Sequence, residues 1–126
     1  MARATGIGGV LLRAQDPDAL KRWYAENLGL SPADGGPIVL RWRELGSERE
    51  ALTVFGLFAA DTDYFGSRDQ QAMLNFRVDD LDALLADLRA GGVPVEGDIG
   101  EEKEGRFAWV SDPEGNRVEL WEPAGG

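Results

Sequence analysis

Asp112-Pro113-Glu114-Gly115-Asn116-Arg117-Val118-Glu119-Leu120-Trp121-Glu122 is the stretch that decides how this chain is read. Asp-Pro-Glu-Gly is a tight turn. Proline presets the backbone at its second position, and glycine accepts the left-handed geometry that closes it. Phe107-Ala108-Trp109-Val110 before the turn and Val118-Glu119-Leu120-Trp121 after it alternate as strands do. The stretch is therefore a hairpin, and Glu119 sits mid-strand among large apolar residues. A carboxylate there costs free energy unless it meets a cation, a metal or a hydrogen-bond donor. Glu119 is thus the one candidate for a catalytic group, and the catalytic residues are otherwise unknown.

Upstream of the hairpin the chain repeats itself. Leu12-Arg13-Ala14-Gln15-Asp16-Pro17-Asp18-Ala19-Leu20 matches Phe76-Arg77-Val78-Asp79-Asp80-Leu81-Asp82-Ala83-Leu84 at a constant offset. Both copies run from strand to helix cap to helix. In the first, Asp16 is the N-cap and Pro17 the first helical residue, where its missing N–H is not needed. Leu20, Trp23, Tyr24 and Leu28 form the buried stripe, and Gly29 stops the helix. In the second, Asp80 is the cap, Leu81, Leu84, Leu85 and Leu88 the stripe, and Gly91-Gly92 the stop. Strands follow each helix: 38–43 and 52–58 with a turn at Leu45-Gly46-Ser47 and a weak strand near 30–33, then 93–96, 106–111 and 117–121. The acidic, glycine-punctuated segment 97–105 reads as a solvated loop. The predicted class is α+β, with two tandem βαβββ modules in a single domain spanning 1–126. Module one covers about 5–58, a linker about 59–71, and module two about 72–123.

Composition narrows the chemistry. A chain of 126 residues fits one domain with a real core. Thirteen basic residues against 23 acidic give a net charge of −10, which argues against nucleic acid or an anionic membrane as partner. It favours neutral or cationic ligands instead. No apolar run reaches the length of a membrane span, and no signal-peptide core opens the chain, so the cytoplasm is the expected location. The chain has no cysteine and no histidine. Thiolate sites, imidazole metal sites and histidine-based nucleophile systems are excluded. Carboxylates, Lys21, Lys103, Tyr24, Tyr64, hydroxyls and arginines remain.

Three features together carry a resemblance: the Asp16-Pro17-Asp18 helix start followed by Trp23-Tyr24 and Leu28-Gly29-Leu30, the duplicated module, and the Asp112-to-Asn116 turn. The chain resembles the vicinal oxygen chelate superfamily of glyoxalase I, bleomycin-resistance proteins and extradiol dioxygenases, over essentially its whole length. The resemblance implies curved mixed sheets that form a cleft, and a homodimer. It also implies four metal-ligand positions, which fall at Gly9, about Phe55, Met73 and Glu119. Only Glu119 can ligate a hard cation, whereas a catalytic metal needs about three protein ligands. Neither a metal nor a cofactor is therefore expected, and metal-dependent glyoxalase or dioxygenase activity is disfavoured.

Alternate strand residues share a face. Arg13 then falls with Gly9, Asn75 and Arg77 with Met73, and Trp121 with Glu119, while Phe107 and Trp109 alternate beside them. The expected ligand-binding set is Arg13, Trp42, Phe55, Met73, Asn75, Arg77, Phe107, Trp109, Glu119 and Trp121. Aromatic walls with a few polar points suit a small organic ligand, aromatic or amphipathic, cationic ones included. Three functions compete: a metal-free small-molecule binding protein; an enzyme of the same superfamily, a lyase, isomerase or dioxygenase; and a structural or regulatory protein whose cleft is filled by its own side chains, with Glu119 paired to an arginine such as Arg13 or Arg77.

Overall fold

Two aspartates start the two helices, as their positions before an apolar stripe predict. A computed structural model describes residues 2–32, 36–46 and 48–125. In it the chain runs β1 (Ala4–Ala14), α1 (Pro17–Leu28), β2 (Ile38–Arg43), β3 (Glu50–Ala59), β4 (Ala72–Val78), α2 (Leu81–Ala90), β5 (Val95–Glu102), β6 (Gly105–Ser111) and β7 (Arg117–Pro123). The fold is α+β. Asp16 accepts the backbone N–H of Ala19 at 3.0 Å, and Asp80 that of Ala83 at 3.0 Å. Gly29, at φ 71°, ends α1 in the left-handed region that glycine alone enters freely.

The chain divides into two compact units, Gly9–Ala72, and Met1–Gly8 with Met73–Gly126. In the first, β3 lies between β2 and β1, antiparallel to the former and parallel to the latter. Tyr24 of α1 meets Phe55 of β3 edge to face, with centroids 4.8 Å apart. Ile38, Ala51 and Phe65 are its most deeply buried apolar residues. None of the residues of α1 is fully buried, and Trp23 is 50% exposed. The stripe expected to be core therefore only half covers itself.

In the second unit β7 runs parallel to β4 and antiparallel to β6, and β6 is antiparallel to β5. Leu81 and Leu85 of α2 pack with Val78, Ala108, Val110 and Leu120 into one cluster, flanked by Phe76, Leu84, Leu88 and Val118. This is the face on which period-two alternation places them. Leu74, which alternation along β4 puts on the same face as Phe76, is 39% exposed. The segment before Gly9 belongs here: Arg3 donates its backbone N–H to the Asp79 carboxylate at 2.9 Å.

Two local expectations change. Segment 97–105 is not a loop, because β5 continues to Glu102 and turns back at Gly105. Edge strands tolerate charge and glycine, since one side of the ladder faces solvent. A register shift between Glu96 and Gly100, with Gly97 at φ 71°, absorbs the irregular composition. Residues 30–32 are not in a strand, and Ala33 lies outside the described residues, as does Ser47 of the predicted turn. The first module therefore shows two strands after its helix among the described residues, and the second shows three. No described helix is long and apolar enough to cross a membrane.

Candidate functional site

The strands of the second unit bring one row of side chains together. Asn75 lies opposite Glu119 and Arg77 opposite Trp121 in the parallel β4–β7 pair. Trp109 lies opposite Glu119 and Phe107 opposite Trp121 in the antiparallel β6–β7 pair. Directly opposed residues share a face, so Asn75, Arg77, Phe107, Trp109, Glu119 and Trp121 form one surface. Met73 joins them by alternation along β4 and is completely buried.

Glu119 is the polar centre of that surface and is only 4% exposed. Its Oε1 accepts a hydrogen bond from Asn75 Nδ2 at 2.7 Å, and its Oε2 one from Trp109 Nε1 at 2.9 Å. The demand that the sequence places on a mid-strand carboxylate is thus met by two N–H donors. The Arg77 guanidinium lies 5.5 Å from the centre of the Trp121 ring, and that of Arg117 lies 5.6 Å from that of Trp109. Phe107 and Trp121 are parallel, with centroids 6.0 Å apart. Trp121 donates its indole N–H to the Glu104 carbonyl at 3.0 Å. Each indole therefore has its N–H satisfied and one face against a cation.

A glycine completes the surface. Gly8 sits where a Cβ would strike Asn75 Oδ1 and lie 2.9 Å from Trp121 and 3.0 Å from Arg77. Here the glycine is needed for close approach rather than for a turn. The β1 residue that opens onto Asn75 in this unit is thus Gly8, the neighbour of the Gly9 expected from the repeat. The Gly8-Gly9 pair inside a strand was the available signal for such an approach. Arg117, placed on this face by parity, proves to be the partner of the Trp109 ring, and its Nε stands 4.0 Å from Glu96.

Arg13, Trp42 and Phe55 belong to the first unit and are engaged there. Arg13 is 7% exposed and donates to the carbonyls of Gln70 (2.8 Å), Ala60 (2.9 Å), Thr62 (2.6 Å) and Ser67 (2.9 Å). It also lies 5.0 Å from the centre of the Phe65 ring. It pins the segment after β3, which the sequence reads as a plain linker. Phe55 faces α1 through Tyr24. Trp42 donates to Thr53 Oγ1 at 2.8 Å, and the pairing of Leu40 with Thr53 and Ile38 with Phe55 puts it on that same α1 side. Leu11 and Arg13 pair with Gly56 and Phe58, on the opposite side. One residue of alternation decides the face, and Phe55 and Gly56 stand on opposite sides of β3.

The metal that the resemblance implies does not fit these residues. The described residues include no group of three or more carboxylate, cysteine or histidine side chains able to hold a cation. Glu119 faces N–H donors, and Phe55 packs on α1.

Comparison with known proteins places the chain. The profile of the glyoxalase/bleomycin resistance protein/dioxygenase superfamily matches residues 6–120. A search of the curated proteins gave no match. Among solved structures, the methylmalonyl-CoA epimerase of Mycobacterium tuberculosis is 25% identical, with a TM-score of 0.63 over 96% of this chain and 89% of that one. A variant of the Streptomyces coelicolor methylmalonyl-CoA epimerase, in complex with 2-nitronate-propionyl-CoA, is 20% identical, with a TM-score of 0.71 over 97% and 99%. The Mn(II)-bound glyoxalase of Novosphingobium aromaticivorans is 22% identical, with a TM-score of 0.59 over 97% of this chain and 40% of that one. Profile and fold agree, and the chain belongs to the glyoxalase/bleomycin resistance protein/dioxygenase superfamily.

Proposed function

We propose that this protein binds a small organic molecule, without a metal, on the Glu119 face of its second unit. The observation that carries the reading is the Glu119 carboxylate held by Asn75 and Trp109 within an aromatic wall of Phe107, Trp109 and Trp121. Apolar walls with few, fixed polar groups are what a ligand site needs. A carboxylate only accepts hydrogen bonds, so Glu119 suits a ligand that presents an N–H or O–H rather than an acceptor. The cationic guests suggested by the net charge suit this face less well than neutral aromatic or amphipathic ones. Arg77 and Arg117 already cover the indole faces that would attract a cation. As in the resemblance, the protein acts as a homodimer. Trp23, Leu28 and Leu40 are 50%, 59% and 43% exposed in the first unit, and such surface marks an interface.

The test is a thermal-shift screen with neutral aromatics, aromatic acids, aromatic amines and an acyl-CoA ester, followed by calorimetry of any hit. Glu119→Gln should cost about 1.5–3 kcal/mol of binding, the range for hydrogen bonds to charged groups, which is roughly a tenfold to hundredfold loss of affinity. If no class stabilises the protein, or the dissociation constant ignores Glu119→Gln, the proposal fails. A second reading, an enzyme using Glu119 as a general base, is favoured by the likeness to epimerases and a glyoxalase. Turnover of the hit compound, abolished in Glu119→Gln, would establish it over simple binding.

A further inference from the structure

The resemblance assigns a metal ligand to the position of Glu119, yet in this chain both oxygens of that carboxylate face protein N–H groups. N–H donors present the positive ends of their dipoles, as a cation presents its charge, and hydrogen bonds to an ionised acceptor are the strong ones. The amide orientation is not arbitrary. Turning Asn75 over would set Oδ1 against the carboxylate, so Nδ2 must point at Glu119. Oδ1 is then left towards Gly8, buried and without a hydrogen-bond partner. The amide gives up one hydrogen bond to keep the other. Gly8 makes this possible, since any Cβ there would collide with Oδ1. The room that a side chain at position 8 of β1 would occupy is filled by Asn75.

We propose that Asn75 and Trp109 stand in for a divalent cation at Glu119, making the centre a metal-independent lock across β4, β6 and β7. With the proposed function it shares only the reading that this centre works without a metal. Its test uses no organic ligand, so the two fail separately.

The experiment compares the wild type, Asn75→Asp, and the exchange Asn75→Asp with Glu119→Gln, each melted with and without Mn²⁺, Ni²⁺ or Zn²⁺. The wild type should show no shift. Asn75→Asp sets a second carboxylate against the first and should melt lower. A divalent ion at about a hundredfold its Kd should then raise its melting temperature by roughly 10 °C. The exchange restores one amide and one carboxylate at the same contact. It should recover most of the lost stability and lose the metal response. Should Asn75→Asp not fold at all, the exchange still decides, because a folded, metal-indifferent double variant supports the pairing and an unfolded one overturns it. The proposal is also overturned by about one Mn, Ni or Zn per wild-type chain that disappears in Glu119→Gln, or by a folded Asn75→Asp that ignores every ion.

Discussion

Replacing Trp109 by Phe keeps a ring against Arg117 but removes the N–H that holds Glu119 Oε2. A lost bond to a charged acceptor should cost about 1.5–3 kcal/mol, read as a lower urea midpoint with an unchanged slope. An unchanged midpoint would show that this bond contributes nothing. Gly8→Ala should cost about 1–3 kcal/mol through overpacking, because its Cβ would meet Asn75, Trp121 and Arg77. Asn75→Ala removes the atom it strikes, so the two substitutions should be clearly non-additive. Additive losses would mean the strain lies elsewhere. The surface around Glu119 was legible in the sequence, because strand parity alone puts Asn75, Arg77, Trp109 and Trp121 beside it. Its donors were not. Parity gives the face, whereas which of two arginines, an amide or an indole reaches the carboxylate depends on strand order and side-chain length.

At the level of elements, the helices and the closing hairpin were readable because their chemistry is local. Asp16 and Asp80 reach donors three residues on, and Asp112 accepts the backbone N–H groups of Glu114 and Asn116 at 2.9 Å each. Arg13 was not readable, since its acceptors are backbone carbonyls 47 to 57 positions away, and every residue type has one. Arg13→Met should therefore unfix the segment of residues 60–70, with a loss above about 2 kcal/mol, as several bonds to one charged group are removed. Limited proteolysis should cut first in that segment, and cleavage elsewhere would refute the assignment. The carboxylates also make a pH prediction. Asp82 lies below the ordinary carboxylate value of 3.8 because Arg106 donates to it, Asp112 because of the Asn116 side chain and backbone N–H, and Asp79 because of the Arg3 N–H. A folded value below the unfolded one adds stability that is present above 3.8 and lost as pH falls through the lower folded value. Urea midpoints should be level down to about pH 5 and drop below about pH 4, less steeply in Asp82→Asn with Asp112→Asn. An equal drop in that variant would place the acid sensitivity elsewhere.

For the molecule as a whole, the expectation is a species of twice 13.7 kDa in light scattering. The half-exposed stripe on α1 supports it: Trp23 and Leu28 hold the positions of a core face, yet the first unit does not cover them. Trp23→Glu should shift the equilibrium towards the 13.7 kDa species. A wild type that is monomeric at micromolar concentration would remove the dimer from the proposal. The sequence showed that α1 has an apolar face, but helical periodicity cannot say what the face meets. It records only that water is disfavoured there. Among the described residues, 30–32 lie outside any strand, and Pro32 withholds the N–H that a ladder needs.

The packing of Asn75 into the space beside Gly8 also limits how this centre could change. A ligating side chain cannot enter at position 8 while the amide stands there, and removing the amide first strips a donor from a buried carboxylate. Neither single step is neutral. Conversion of this centre into a metal site by either step would have to cross a less stable intermediate, so the contact works as a ratchet: easy to keep and hard to leave.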